Sequence, residues 1–224
     1  MNLIVFDIDD TLTRSEYQHQ LAYVHSMKAI GIEKIDQNWK RYTHHTDSYI
    51  LKENYEDNFE HPFDLGLVAD FESNMTQIIE GLDRVREIPG AGVMIDYLRK
   101  EKQYAIAFAT GSFLKPAYLK LEQANLWFDT RLVAASNQFY SREEIVGDAI
   151  ERAKEYYKCD HFDHIISVGD GIWDLKTAQN LGLQFIGVGL KNLKDFEDAG
   201  IQVHTEDWTD FDVGTAERVL GIKR

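Results

Sequence analysis

Three carboxylates fall within four positions near the start of the chain, at Asp7, Asp9 and Asp10 of "LIVFDIDDTLT". Carboxylates this close raise each other's pKa unless a cation or a set of donors holds them. Farther along, Thr110-Gly111-Ser112 offers hydroxyls and amides, Arg142 in Ser141-Arg142-Glu143-Glu144 a permanent positive charge, and Gly169-Asp170-Gly171-Ile172-Trp173-Asp174 two more carboxylates. The acidic groups are oxygen donors of the kind a hard divalent cation takes. The hydroxyls, amides and guanidinium suit a doubly charged phosphoryl group, whose transfer depends on charge neutralisation and in-line positioning.

These groups must be brought together, and the pattern around them says how. Leu3 to Phe6 is a β-prone apolar run that ends at Asp7, and Tyr104 to Ala109 is another that ends at Thr110-Gly111. Ile165 to Val168 runs into Gly169-Asp170, and Gln184 to Val188 reads as a further strand, with a shorter one at Arg131 to Ala134. Between them lie helical patterns at Gly92 to Lys100, Lys115 to Ala124, Glu143 to Tyr157 and Leu175 to Leu181. Apolar strands alternating with helices predict a three-layer α/β, Rossmann-like parallel sheet with the reactive groups beyond its carboxyl edge. Residues 15–86 differ. Glu16 to Ile30, Thr46 to Tyr55 and Leu67 to Leu82 carry apolar residues at helical spacing, which predicts a small all-helical cap between the first strand and the rest. The expected division is a discontinuous core, 1–14 and 87–224, with a cap domain at 15–86.

Composition narrows the partners. The 224 residues are 44 % hydrophobic, enough for a substantial core. A formal net charge of −14, from 38 acidic against 24 basic residues, repels nucleic acid and anionic membrane surfaces, so neither is expected as a partner. Cys159 is the only cysteine, which excludes an intrachain disulfide and is read as an inert thiol. Residues 1–13 have no basic leader and are interrupted by acids after Phe6, so they are expected to be neither signal peptide nor anchor, and the expected location is cytoplasmic.

Taken in order, Asp7-Ile8-Asp9-Asp10-Thr11, Thr110-Gly111-Ser112, Arg142 and Gly169 to Asp174 resemble the four motifs of the haloacid dehalogenase (HAD) superfamily of phosphohydrolases. The resemblance covers residues 1–14 and about 87–224, and the helical insert is similar in position and class. It implies Asp7 as a nucleophile forming an aspartyl-phosphate, Asp9 as general acid and then base, and Thr110, Gly111 and Arg142 as phosphate ligands. It also implies Mg²⁺ held by Asp7, the Asp9 carbonyl and Asp170, with Asp174 binding directly or through water. Asp9 is expected to have a raised pKa, from its acidic neighbours. Asp10 and Thr11 are read as turn residues, Gly169 and Gly171 as permitting tight turns, and Asp174 has the alternative reading of a helix N-terminal acid.

Lysine is commoner than arginine at the third motif, and Lys115, Lys154 and Lys158 compete with Arg142 for that role. Arg142 is preferred because it begins the helix preceding the Gly-Asp strand. Asp9 is absent from the family's dehalogenases and phosphonate-cleaving enzymes, so the expected activity is Mg²⁺-dependent hydrolysis of a small phosphorylated metabolite. A sugar-phosphate mutase and a non-catalytic phosphate- and Mg²⁺-binding relative are the alternatives. Within the insert, "WKRYTHHTDSY" could reach over the site, with Arg41, His44 and His45 selecting the leaving group, or could be a solvated loop.

Overall fold

The computed structural model describes residues 1–222. The described residues form eight strands: β1 (Asn2–Phe6), β2 (Thr13–Arg14), β3 (Arg86–Glu87), β4 (Tyr104–Ala109), β5 (Val133–Ala134), β6 (Ile165–Gly169), β7 (Gln184–Val188) and β8 (His204–Thr205). Six of them form one parallel sheet in the order β5-β4-β1-β6-β7-β8. The sheet is flanked by α4 (Ala91–Leu98), α5 (Leu114–Gln123), α6 (Arg142–Tyr157), α7 (Ile172–Asn180), α8 (Leu193–Asp198) and α9 (Val213–Val219), an α/β Rossmann-like arrangement. The insert supplies α1 (Glu16–Ala29), α2 (Asp47–Phe59) and α3 (Val68–Glu80).

β1 is apolar on both faces because it is the central strand, paired with β4 on one side and β6 on the other. Leu3, Ile4, Val5 and Phe6 are all buried. The Phe6 ring meets the Trp208 indole edge-on at 5.8 Å between centroids, and that indole N–H donates to the Thr11 carbonyl at 2.9 Å. The loop after β1 is therefore fixed to the main core. β2 and β3 pair antiparallel, Thr13 with Glu87 and Arg14 with Arg86, so the chain leaves for the helical insert and returns from it through one short ribbon. Inside the insert Tyr23, Met27, Leu51, Phe71 and Met75 are buried in a separate apolar cluster that also takes in Phe113 from the N-terminus of α5.

The helices expected from periodicity appear with ends shifted by a few residues, and the expected strand at Arg131 shortens to β5 after a 3₁₀ turn at Thr130–Leu132. β8, α8 and α9 had no counterpart in the sequence reading; they are two, six and seven residues long, too short for periodicity to register. No helix among the described residues is long and apolar enough to cross a membrane.

Candidate active site

The site starts where β1 stops. The Asp7 amide donates to the Val168 carbonyl at 2.9 Å, extending the ladder by one residue, and the carboxyl is buried at 5 % exposure. The chain then turns sharply. Asp10 takes a left-handed conformation, φ 53°, and its Oδ1 accepts from the Ser15 and Glu16 amides at 3.3 Å each, which ties the turn to the start of α1. Thr11 Oγ1 donates to Asp7 Oδ2 at 3.2 Å. Both residues brace the turn.

Arg142 reaches the same point from the first turn of α6, a helix whose start is held by the reciprocal bonding of Ser141 and Glu144. Its Nη1 donates to Asp7 Oδ1 at 3.2 Å and also to Asp174 Oδ1, while its Nε donates to the His45 carbonyl at 3.2 Å. Burial disfavours the cation, but Asp174 and Asp7 more than offset this, and the guanidinium stays charged. The competing lysines lie elsewhere. Lys115 Nζ is exposed and bonded to Ser73 in α3, and Lys154 pairs with Glu151 on the outside of α6.

Asp170 directly follows β6 and Asp174 occupies the first turn of α7, where its Oδ2 accepts from the Gly171 amide at 3.0 Å. Asp7, Asp170 and Asp174 each offer a carboxylate oxygen within 4.8 Å of the others. Burial and the neighbouring Asp174 push Asp7 up to about 8, and burial with Asp174 and Asp7 pushes Asp170 well above its ordinary range. Three buried carboxylates facing one guanidinium are short of positive charge, and an all-oxygen set this compact fits a hard divalent cation. Asp9 is outside the carboxylate cluster, so only its backbone carbonyl could join such a set, as the sequence reading assigned.

The two glycines of the fourth motif are required for space. Neither has a positive φ; a Cβ on Gly169 would lie 2.4 Å from Asp174 Cγ, and one on Gly171 would lie 2.0 Å from the Trp173 ring. Their expected role in permitting tight turns is corrected accordingly.

Asp9 brings the larger correction. Its two carboxylate oxygens accept from Lys120 Nζ at 2.7 and 2.6 Å, and Ser15 Oγ donates to one of them. Burial alone would raise its pKa, but the Lys120 charge and the hydrogen bonds from Lys120 and Ser15 bring it down to about 2, opposite to the expected direction. Lys120 side-chain exposure is 0 %. Its ammonium also lies 3.2 Å from Ser112 Oγ and 3.2 Å from His19 Nδ1. With Lys120 donating to Nδ1, the His19 Nε2 proton faces Asp47 Oδ1 at 2.9 Å. Lys120 was missed in the sequence, although a signal existed: it shares the buried stripe of α5 with Pro116, Ala117 and Leu121.

Asp7, Asp9, His19, Arg142 and Asp170 border a cavity of about 90 Å³ at the carboxyl edge of the sheet. Thr110 and Gly111 line it, with the Thr110 hydroxyl oxygen accepting from the Ser112 amide at 3.0 Å. Tyr23, Trp39 and Ile50 close it from the insert, residues that sequence reasoning did not single out. Of the three expected selectivity residues, only His45 borders this cavity. Its ring lies flat on the Trp173 indole at 3.8 Å, and burial with Arg142 lowers its pKa to about 3, so it is neutral and offers no cation. Arg41 does not line the cavity and pairs with Asp36 and Glu53, while His44 packs edge-on against Tyr49.

A parallel sheet that gathers carboxylates, a hydroxyl and a guanidinium at its carboxyl edge, with a helical insert after the first strand, defines a Rossmann-like α/β class of protein. The family model for haloacid dehalogenase-like hydrolases matches residues 1–182, and the chain belongs to that family. No curated protein matches it in sequence. Among solved structures, a HAD hydrolase of family IA, variant 3, from Entamoeba histolytica has a TM-score of 0.73 at 15 % identity, covering 99 % of this chain and 100 % of that one. CbbY from Rhodobacter sphaeroides, in complex with phosphate, has a TM-score of 0.65 at 20 % identity over 93 % and 95 %. A putative β-phosphoglucomutase from Bacteroides vulgatus has a TM-score of 0.68 at 14 % identity over 99 % and 90 %. At these identities the likeness is one of fold.

Proposed function

We propose that this protein is a Mg²⁺-dependent phosphatase that hydrolyses a small phosphomonoester through an aspartyl-phosphate on Asp7. The observation that carries the reading is the meeting at the end of β1 of the Asp7 carboxyl with Asp170, Asp174 and the Arg142 guanidinium. Mg²⁺, held by Asp7, the Asp9 carbonyl, Asp170 and Asp174, would supply charge neutralisation of the phosphoryl group.

The chain's own residues do the rest. An Asp7 carboxylate oxygen attacks phosphorus as the ester oxygen departs, and water then attacks the acyl-phosphate to regenerate Asp7 and release phosphate. Arg142, Thr110 and the Gly111 amide bind the non-bridging oxygens. Asp9, ionised against Lys120, is set to act as the base for the attacking water. To serve first as acid it takes up a proton as the ester binds, which requires its carboxylate to turn from Lys120 toward the leaving oxygen. The helical segment 15–86 acts as the cap over this chemistry, since its Tyr23, Trp39 and Ile50 line the same cavity as Asp7, Asp9 and Asp170.

The test is phosphate release by purified protein across several dozen phosphometabolites, with and without Mg²⁺. Release that needs both Mg²⁺ and Asp7 is expected. Isomerisation of a sugar phosphate without release would replace the reading with a mutase, and activity above a trace in Asp7→Asn would exclude the nucleophile.

A further inference from the structure

The leaving-group side of the cavity differs in character from the phosphoryl side. Tyr23, Trp39 and Ile50 line it there, an apolar and partly aromatic patch set among polar residues of the insert. Most of the polar groups beside that patch are already bonded within the protein. Tyr23 Oη donates to the Asp47 carbonyl, Gln20 Nε2 to Glu16 Oε1, and Thr46 Oγ1 to the Tyr140 carbonyl. His19 meets Lys120 through one ring nitrogen and Asp47 through the other, and Asp47 Oδ2 accepts from the Phe113 amide. The cations are equally committed, Arg142 to Asp7 and Asp174, Lys120 to Asp9, and Lys191 to Glu16. A second anion placed against this wall would give up its hydration and find carboxylates nearby, with the lysine and arginine cations around it already paired.

We propose that the substrate's leaving group is an uncharged hydroxyl compound with an apolar, ring-like face, and that the ester carries no second phosphate or carboxylate. The inference rests on the phosphatase reading and names the substrate class for the same site. The apolar face packs on Trp39, Tyr23 and Ile50, while the only dianion the site accepts is the phosphoryl group held by Arg142, Thr110 and the carboxylate-bound cation.

The test uses a matched pair, 4-methylphenyl phosphate and 4-carboxyphenyl phosphate, which share ring and ester and differ in one charge. Their affinities for Asp7→Asn with Mg²⁺, measured by titration calorimetry, report selectivity without turnover, and inorganic phosphate serves as the control. The methyl compound should bind at least tenfold more tightly. Trp39→Ala in the same background should narrow that ratio at least threefold and leave phosphate affinity unchanged. A carboxyl compound that binds within threefold of its partner overturns the inference, as does phosphate binding with no binding of either ester. If phosphate itself does not bind and the wild-type protein hydrolyses neither ester, the phosphatase reading falls and takes this inference with it.

Discussion

Lys120 gives the sharpest test of how the site is held together. Lys120→Met keeps the length and apolar volume of the side chain and removes only the charge, so the Asp9 carboxylate is left with Ser15 as its remaining side-chain donor. Breaking a fully buried ion pair costs about 3–5 kcal/mol. Asp9 retains 23 % side-chain exposure through the cavity whereas Lys120 has none, so solvent screens part of the loss and about 3 kcal/mol is expected. Asp9→Asn strands the more deeply buried partner and should cost at least as much. With both charges gone nothing is stranded, so the double variant should be more stable than the sum of the singles predicts by about 2 kcal/mol or more. Urea unfolding followed by tryptophan fluorescence and by far-UV circular dichroism reads all four proteins. Costs that add to within about 0.5 kcal/mol would refute the coupling and the argument that Lys120 holds Asp9 ionised.

Other consequences concern the metal cluster, the glycines and the insert. Without a divalent cation Asp7 keeps its proton up to about pH 8; the stability this group contributes is complete below its ordinary value of 3.8 and is lost as pH climbs through 8. Cation binding must expel that proton, so Mg²⁺ at a hundredfold its pH 8 Kd should raise Tm by roughly 5–11 °C at pH 8, and the same concentration should raise it by less at pH 5.5. Equal shifts at the two pH values would contradict this order. Gly169→Ala should cost more than about 2 kcal/mol and weaken Mg²⁺ binding, because its Cβ would overlap Asp174, whereas Gly147→Ala, with nothing within 4 Å, should stabilise α6 by about 0.5–1 kcal/mol in thermal melts. Arg41→Ala should leave the ranking of a phosphoester panel unchanged, and a changed ranking would place Arg41 in substrate contact.

The main sheet was legible because three of its four longer strands end abruptly in a polar group. Leu3 to Phe6 gives way to Asp7, Ala109 to Thr110 and Val168 to Gly169-Asp170, so period and punctuation agreed. The charge state of Asp9 was illegible for a definite reason. Its sequence neighbours are acids, but the charge that decides its state comes from Lys120, 111 positions away, on a helix whose register must be known before that lysine can be placed. The cavity wall failed for a related reason: Tyr23 and Trp39 look like ordinary core aromatics of a helical segment, and only the docking of the insert on the sheet gives them a second face. Arg41 and His44 were the more conspicuous residues, yet local partners hold them, Asp36 and Glu53 for the arginine and Tyr49 for the histidine.

The ribbon made by β2 and β3 has a bearing on how such a protein can change. Departure and return of the helical segment occur at adjacent points, Thr13 beside Glu87, so a different block of any length could be spliced there by matching a single short spacing. Asp7, fastened between two inner strands, would not move. On the proposed reading, a lineage could retool selectivity in the spliced block while inheriting Asp7, provided the new block replaced the His45 carbonyl on Arg142 and the His19 ring on Lys120.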